Sequence, residues 1–183
     1  QIEVEHTVKT HFEHAANELM NVSTLYAQQP SISNAITSED HTQLEQVIMP
    51  IFNQLQEERN LTVFEVGDID GNVLMRGHES EKFGDNKSDL PAIQSTLAGT
   101  SSAGFEFGKS GLSVRAFVPI VIDGNIIGTL QTGLDDTFAK ELQQLLPDVT
   151  INLYNSEQTV VVSSNEQNIG QKIQDHEMAQ NIY

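Results

Sequence analysis

The stretch GLSVRAFVPIVIDGNIIGTLQTGL, residues 111–134, decides the architecture. Leu112, Val114, Ala116, Val118, Ile120 and Ile122 alternate in it with Ser113, Arg115, Phe117, Pro119 and Val121. A period of two marks a strand whose two faces differ. Asp123-Gly124-Asn125 then supplies residues that tolerate positive φ, as a tight hairpin requires, and Ile126–Leu134 returns as a second strand. Two strands joined by so short a turn are antiparallel. A parallel pair would need a crossover of about a dozen residues between them.

Working upstream, Phe105-Glu106-Phe107 reads as a third strand that enters the pair through a turn at 108–111. Thr62–Val66 and Asn72–Arg76 read as a further hairpin around Asp68-Ile69-Asp70-Gly71-Asn72. Between them lie a polar loop over 77–90 and a short helix over Leu90–Leu97 with its exit at Ala98-Gly99. The N-terminal part is helical. Val8, Phe12, Ala15, Leu19, Val22 and Tyr26 are spaced at alternating fours and threes, one stripe of a long helix that stops at Gln28-Gln29-Pro30. Residues 31–37 are a short helix or a loop. Ser38 or Asp40 caps the next helix, whose apolar face is Leu44, Val47, Ile48, Ile51, Phe52 and Leu55, with a kink or break expected at Pro50.

Downstream, a helix is predicted over 136–145, stopped by Pro147. Thr150–Tyr154 and Thr159–Ser163 then form another hairpin around Asn155-Ser156-Glu157. The class is α+β: a long N-terminal helix packed on an antiparallel sheet. Three segments follow: a helical one over 1–60, a sheet domain over 61–146 that binds the ligand, and the start of a smaller module over 147–183. Both ends fall in sequence without start or stop signals, so the natural protein is expected to be longer.

Composition narrows the function. The net charge is −17, with only nine Lys and Arg among 183 residues. So acidic a surface repels phosphate backbones and argues against a nucleic-acid partner. Absence of Cys excludes disulfides, thiolate metal sites and Cys nucleophiles. No apolar run of about 18 residues is present, and no signal peptide. Nor is there a nucleophile elbow, a phosphate-binding Gly loop or a zinc-protease helix, so neither a cofactor nor an enzyme is expected. His11 and His14, with Glu13 and His6 nearby, lack a fixed third ligand and read as a solvated helix face. Asp68-x-Asp70-Gly71-Asn72 has its Gly too early for a calcium loop and reads as a turn.

The arginines remain: Arg59, Arg76 and Arg115. Arg115 stands inside an apolar strand, and an unpaired buried guanidinium costs several kcal/mol. Either it meets an internal carboxylate such as Glu106, or it and Arg76 face a cavity that receives an anionic ligand through forked hydrogen bonds. Strand parity places Ser113, Arg115 and Phe117 on one face. His78 lies two residues past Arg76 and is a further candidate donor, and Phe105 or Phe117 is a candidate apolar wall. Six of the nine basic residues fall between Arg76 and Lys140, a local positive focus in an acidic chain.

The stretch from Thr62 to Leu134 resembles the Cache (PAS-like) family of extracytoplasmic sensors. VFEVGDIDGNVLMRGH (63–78) is similar to that family's strand, Asp-Gly turn and returning strand ending in Arg and His. FGDNKSDLPAIQSTLAG (83–99) resembles its Gly-Asp loop and short helix, and 111–134 its strand with R-x-x-x-P-I, turn and closing strand. TINLYNSEQTVVVSSNEQNIGQKI (150–173) is similar to the start of a membrane-proximal module, as in the double-Cache group of methyl-accepting chemotaxis receptors.

The resemblance implies a PAS-like sheet against a long N-terminal helix. It also implies a periplasmic sensor domain on an inner-membrane receptor, dimeric through that helix, that binds a small molecule. Relatives that sense citrate and four-carbon dicarboxylates hold carboxylates at positions matching Arg76, His78 and Arg115. The chain departs from them at Phe117, where a second basic residue is missing, and it lacks the Trp of the amino-acid-sensing group. Ligand-binding residues implied in sum are Arg76, His78, Phe105, Ser113, Arg115 and Phe117, for an organic anion. Outputs other than chemotaxis, a histidine kinase or a diguanylate cyclase, also follow such sensors. A different class is a ligand-free module for dimerisation or partner binding, in which both arginines would be paired internally and no cavity would exist.

Overall fold

The computed structural model describes residues 2–108, 111–135, 144, 146–154, 157–163 and 165–172. Three helices come first: α1 (Ile2–Ala27), α2 (Pro30–Thr37) and α3 (His41–Arg59). The sheet is built from β1 (Val63–Asp68), β2 (Val73–Arg76), β3 (Ser102–Gly108), β4 (Gly111–Ile122) and β5 (Asn125–Leu134), with α4 (Pro91–Leu97) between β2 and β3. All pairings are antiparallel, in the order β2-β1-β5-β4-β3. β6 (Asn152–Tyr154) and β7 (Val160–Ser163) form a separate hairpin. The fold is α+β, as the alternation of 111–134 predicts.

One face of the sheet is the core. Phe64, Val66, Met75, Val114, Ala116, Val118, Ile120 and Leu130 are buried there together with Phe12 and Leu19 of α1 and with Ile48, Phe52 and Leu55 of α3. The α1 stripe does what its spacing predicts: each of its six positions is buried or half-buried. A polar rivet joins helix to sheet. The Oγ of Ser23 donates to the carbonyl of Leu19, and lies 2.6 Å from Thr132 Oγ1 on β5.

Several expectations are resolved or changed. Residues 30–37 are a helix, with Ile32, Ser33, Ala35 and Ile36 buried. Asp40 is the cap of α3, its carboxylate accepting from the Thr42 amide at 2.9 Å. Ser38 instead closes α2 and accepts from the Asp40 amide. Pro50 does not break α3. It sits on the exposed side, where water can reach the carbonyl it leaves unbonded, while Leu44, Ile48, Phe52 and Leu55 hold the buried side continuous. β3 is longer than its three predicted residues because it pairs with β4 from Ser102↔Phe117 to Gly108↔Gly111. The helix expected over 136–145 lies outside the described residues except for residue 144, which is helical.

The polar loop after β2 turns back along the sheet. Gly84 N donates to Val73 O at 2.7 Å, Val73 N to Asp85 O at 2.9 Å and Lys87 N to Gly71 O at 2.8 Å. Residues 84–87 thus cover the β2 edge, which protects a strand that would otherwise be open to pairing. The Asp68–Asn72 turn is closed by its own side chain. Asp68 Oδ1 accepts from the amides of Asp70 and Asn72, and Oδ2 from the Asn72 side chain. No group of three metal-ligating side chains occurs among the described residues.

Candidate functional site

The second face of the sheet is polar. Residues directly opposite in antiparallel strands share a face. The register therefore lines up Arg76, Glu65, Gln131, Phe117 and Ser102 in one row across five strands. The next row is Val63, Gly133, Arg115 and Gly104. Loop 77–90 covers part of this face, and beneath it lies a cavity of ≈ 680 Å³ lined by Val63, Glu65, Arg76, His78, Glu79, Glu81, Lys82, Phe83, Asp85, Lys87, Arg115 and Gln131.

Arg76 reaches this face through an irregularity. Continuing the Gly67↔Val73 pairing unchanged would set Arg76 opposite Phe64, on the core side. The register shifts between Val66 and Gly67, and Arg76 pairs with Glu65 instead. Its Nε donates to Glu65 Oε2 at 2.7 Å. Nη1 donates to the Lys82 carbonyl and to Asp85 Oδ1, and Nη2 to Asp85 Oδ2, each at 2.8 Å. Four of its five N–H groups are thus taken by the protein. The Asp85 hydrogen bond raises the Arg76 pKa above its ordinary value, with help from Glu65 and against burial. The same bond holds the Asp85 carboxyl below the usual carboxylate range. Lys87 Nζ lies 2.7 Å from both Glu65 oxygens, so the strand and the loop are stitched by one buried carboxylate.

Arg115 is placed differently. Its cross-strand neighbours are Gly133 and Gly104, neither with a side chain. A Cβ at Gly133 would collide with its guanidinium, which therefore lies over β5 at that glycine. Its Nη1 is buried and has no hydrogen-bond partner among the described residues. Burial lowers the Arg115 pKa, and the nearby charges of Glu106, Glu65 and Asp135 oppose that shift. An arginine so placed remains charged, so the group is a half-buried cation with one buried, unused donor.

His78 also lines the cavity and is half-buried. Burial lowers its pKa, with Glu65 and Glu79 pulling the other way. Its Nδ1 accepts from the Phe64 amide at 3.4 Å, which orients the neutral ring. Two other residues of the sequence reading sit away from the cavity. Phe105, opposite Val114, belongs to the core face and stacks on Phe12 with ring centroids 4.9 Å apart. It does not wall the cavity, because the parity of β3 turns it toward α1. Ser113 is buried and donates to the Glu106 carbonyl at 3.4 Å. Phe117 is on the cavity face of β4 but is itself buried rather than lining the space.

Sequence reasoning passes over Glu65, although it had a signal: an acid between Phe64 and Val66 in an apolar strand. Asp85 reads in sequence as a solvated loop residue until the loop is folded back, while Lys87 is one of the basic residues between Arg76 and Lys140 that lie near the roof of the cavity.

The structure is similar to several solved sensor domains. The sensor domain of the V. cholerae histidine kinase DctB aligns with a TM-score of 0.74 at 16% identity, over 93% of this chain and 70% of that chain. The E. coli DcuS sensor domain aligns at 0.61 and 19%, over 76% of this chain and 99% of that one. The ligand-binding domain of the Campylobacter jejuni chemoreceptor Tlp3, solved with 4-methylisoleucine, aligns at 0.64 and 16%, over 95% and 70%. No curated protein matches the sequence. No helix among the described residues is long and apolar enough to cross a membrane. Residues 2–175 match the family described as the double sensory domain of two-component sensor kinase (dCache_3), and the chain belongs to that family of Cache sensor domains.

Proposed function

We propose that the chain is the extracytoplasmic sensor of a chemotaxis receptor and that it binds a small carboxylate-bearing ligand at Arg115. The observation that carries this reading is the buried Nη1 of Arg115, unpartnered among the described residues, at an open cavity between the sheet and the loop. A ligand-free module has no use for such a group, since an uncompensated buried charge works against folding. A carboxylate supplies the missing acceptor, and His78 is the neighbour that orients it. Arg76 acts one step back by fixing the loop. Residues 61–146 are the ligand unit and 147–183 open the membrane-proximal module.

Transmission follows from differential affinity. A ligand that binds better when loop 77–90 is seated on the sheet shifts the domain toward that state. The core face would pass the shift to α1, and a homodimer through α1 would read it across the membrane. A histidine-kinase output is the second reading, favoured by the family's own description.

The test is a thermal-shift screen of carboxylates and amino acids on wild type and Arg115→Ala. At one hundred times its dissociation constant a ligand adds about 2.7 kcal/mol of stability, which raises the melting temperature. The reading fails if no carboxylate shifts wild type, or if one shifts both proteins alike.

A further inference from the structure

We propose that this cavity selects a ligand with a single negative group, a monocarboxylate, and discriminates against di- and tricarboxylates. The inference rests on the carboxylate reading above and adds the number of charges the ligand carries.

Arg76 gives four N–H groups to Glu65, Asp85 and the Lys82 carbonyl. Lys87 is bonded to both oxygens of Glu65, and Lys82 lies 2.6 Å from Glu79. Arg76 and Lys87 thus each have an internal carboxylate and Lys82 a surface one, while His78 holds the Phe64 amide through Nδ1. Of the basic side chains of the cavity, Arg115 alone offers a buried donor without a partner among the described residues. A first carboxylate meets that donor. A second meets no unpaired Lys or Arg among the described residues of the lining, and finds Glu65, Asp85 and the exposed Glu81 nearby.

Lys82 is 67% exposed, and a second carboxylate that meets it does so in water, where an ion pair adds little. Recruiting Lys87, the less exposed lysine, takes it from Glu65, whose side chain is only 5% exposed. That leaves a buried carboxylate with Arg76 Nε as its remaining charged partner, and removing one partner of a buried ion pair is expensive. Conversely, Glu65 is saturated by Arg76 and Lys87, so no free buried acid waits for a ligand ammonium. The carboxylate alone is the recognised charge.

The experiment is calorimetric titration of the chain, with Arg115→Ala in parallel, at neutral pH and fixed salt. The probes are acetate, propionate, butyrate, lactate, pyruvate and benzoate against succinate, malate and citrate. Succinate is also compared with monomethyl succinate, which keeps the skeleton and removes one charge. The best binder is expected to be singly charged, with succinate at least about tenfold weaker than its half-ester, a difference of about 1.4 kcal/mol. Binding of the monocarboxylate should be lost in Arg115→Ala.

Succinate binding as tightly as its half-ester, with both lost in Arg115→Ala, would overturn the single-charge inference and leave carboxylate sensing standing. Selective monocarboxylate binding that survives in Arg115→Ala would overturn the assignment of the site. No binding by either class would overturn the sensing reading, and this inference with it.

Discussion

The two arginines of the cavity face make an instructive pair. Arg76, at the β2 edge, is closed in by the loop and bonded to two carboxylates and a carbonyl. Arg115, three strands away on β4, lies between two glycines with a buried donor unused. The chemistry is the same, yet the surroundings divide the labour. A satisfied guanidinium adds to the fold and fixes a loop. An unsatisfied one subtracts from stability, and the proposed carboxylate would supply its acceptor. Local strain or unmet polarity in a well-packed protein is the usual signature of a site.

The largest effect should fall on the satisfied arginine. Arg76→Met leaves Glu65 and Asp85 without their shared partner, and should lose about 3–5 kcal/mol in urea unfolding. A loss under about 1 kcal/mol would mean that the buried pair contributes no more than a surface one. Gly133→Ala comes next. Its methyl meets the guanidinium at the far end of the flexible Arg115 side chain, which must swing to another rotamer at a cost of about 0.5–1.5 kcal/mol and so leave the proposed ligand position. Gly104→Ala, on the other side of Arg115, has open space and serves as the silent control in the same assay.

A smaller effect concerns pH. The folded-state pKa of His78 is lowered by burial, so the unfolded chain binds its proton first. Its contribution is complete above the unfolded value, about 6.5, and is lost as pH falls from there toward the folded value. Wild type should lose stability between pH 7 and 5 more steeply than His78→Asn, as unfolding curves at each pH would show. Equal slopes would remove His78 from the account. Asp85 also has a lowered pKa, but its window lies at the acid end and its exposure mutes it.

The smallest change in stability belongs to Arg115→Met. Removing a half-buried cation with an unsatisfied donor should leave the melting temperature level or raise it, while abolishing ligand binding. A loss comparable to that of Arg76→Met would show that Arg115 is a structural ion-pair residue after all, and the contrast between the two arginines would collapse.

Much of this was legible in the residues. The alternation of 112–122 assigned Arg115 and Phe117 to a face distinct from the aliphatic one, and the strands bear that division out. Phe105 was misread because β3 was too short in the sequence reading for its own parity to be set. Arg76 carried the right chemistry and the wrong destination: its acids were Glu65 on the neighbouring strand and Asp85 in a loop that looked solvated. The bulge at Val66 and Gly67 has no sequence signal, yet without it Arg76 would point into the core.

Periodicity, turn residues and the Thr62–Leu134 resemblance were enough to determine the α+β class, the hairpins, the buried stripe of α1 and the sensor family. Those features are local, set by side chains a few residues apart, or carried by a pattern of such features in order. Which arginine is paired and which is left open was decided only in three dimensions. It depends on β1 pairing with β5, on a one-residue shift in register, and on loop 77–90 folding back along β2. Ion pairs are satisfied by whatever the fold brings within about 3 Å, and sequence distance carries no information about that.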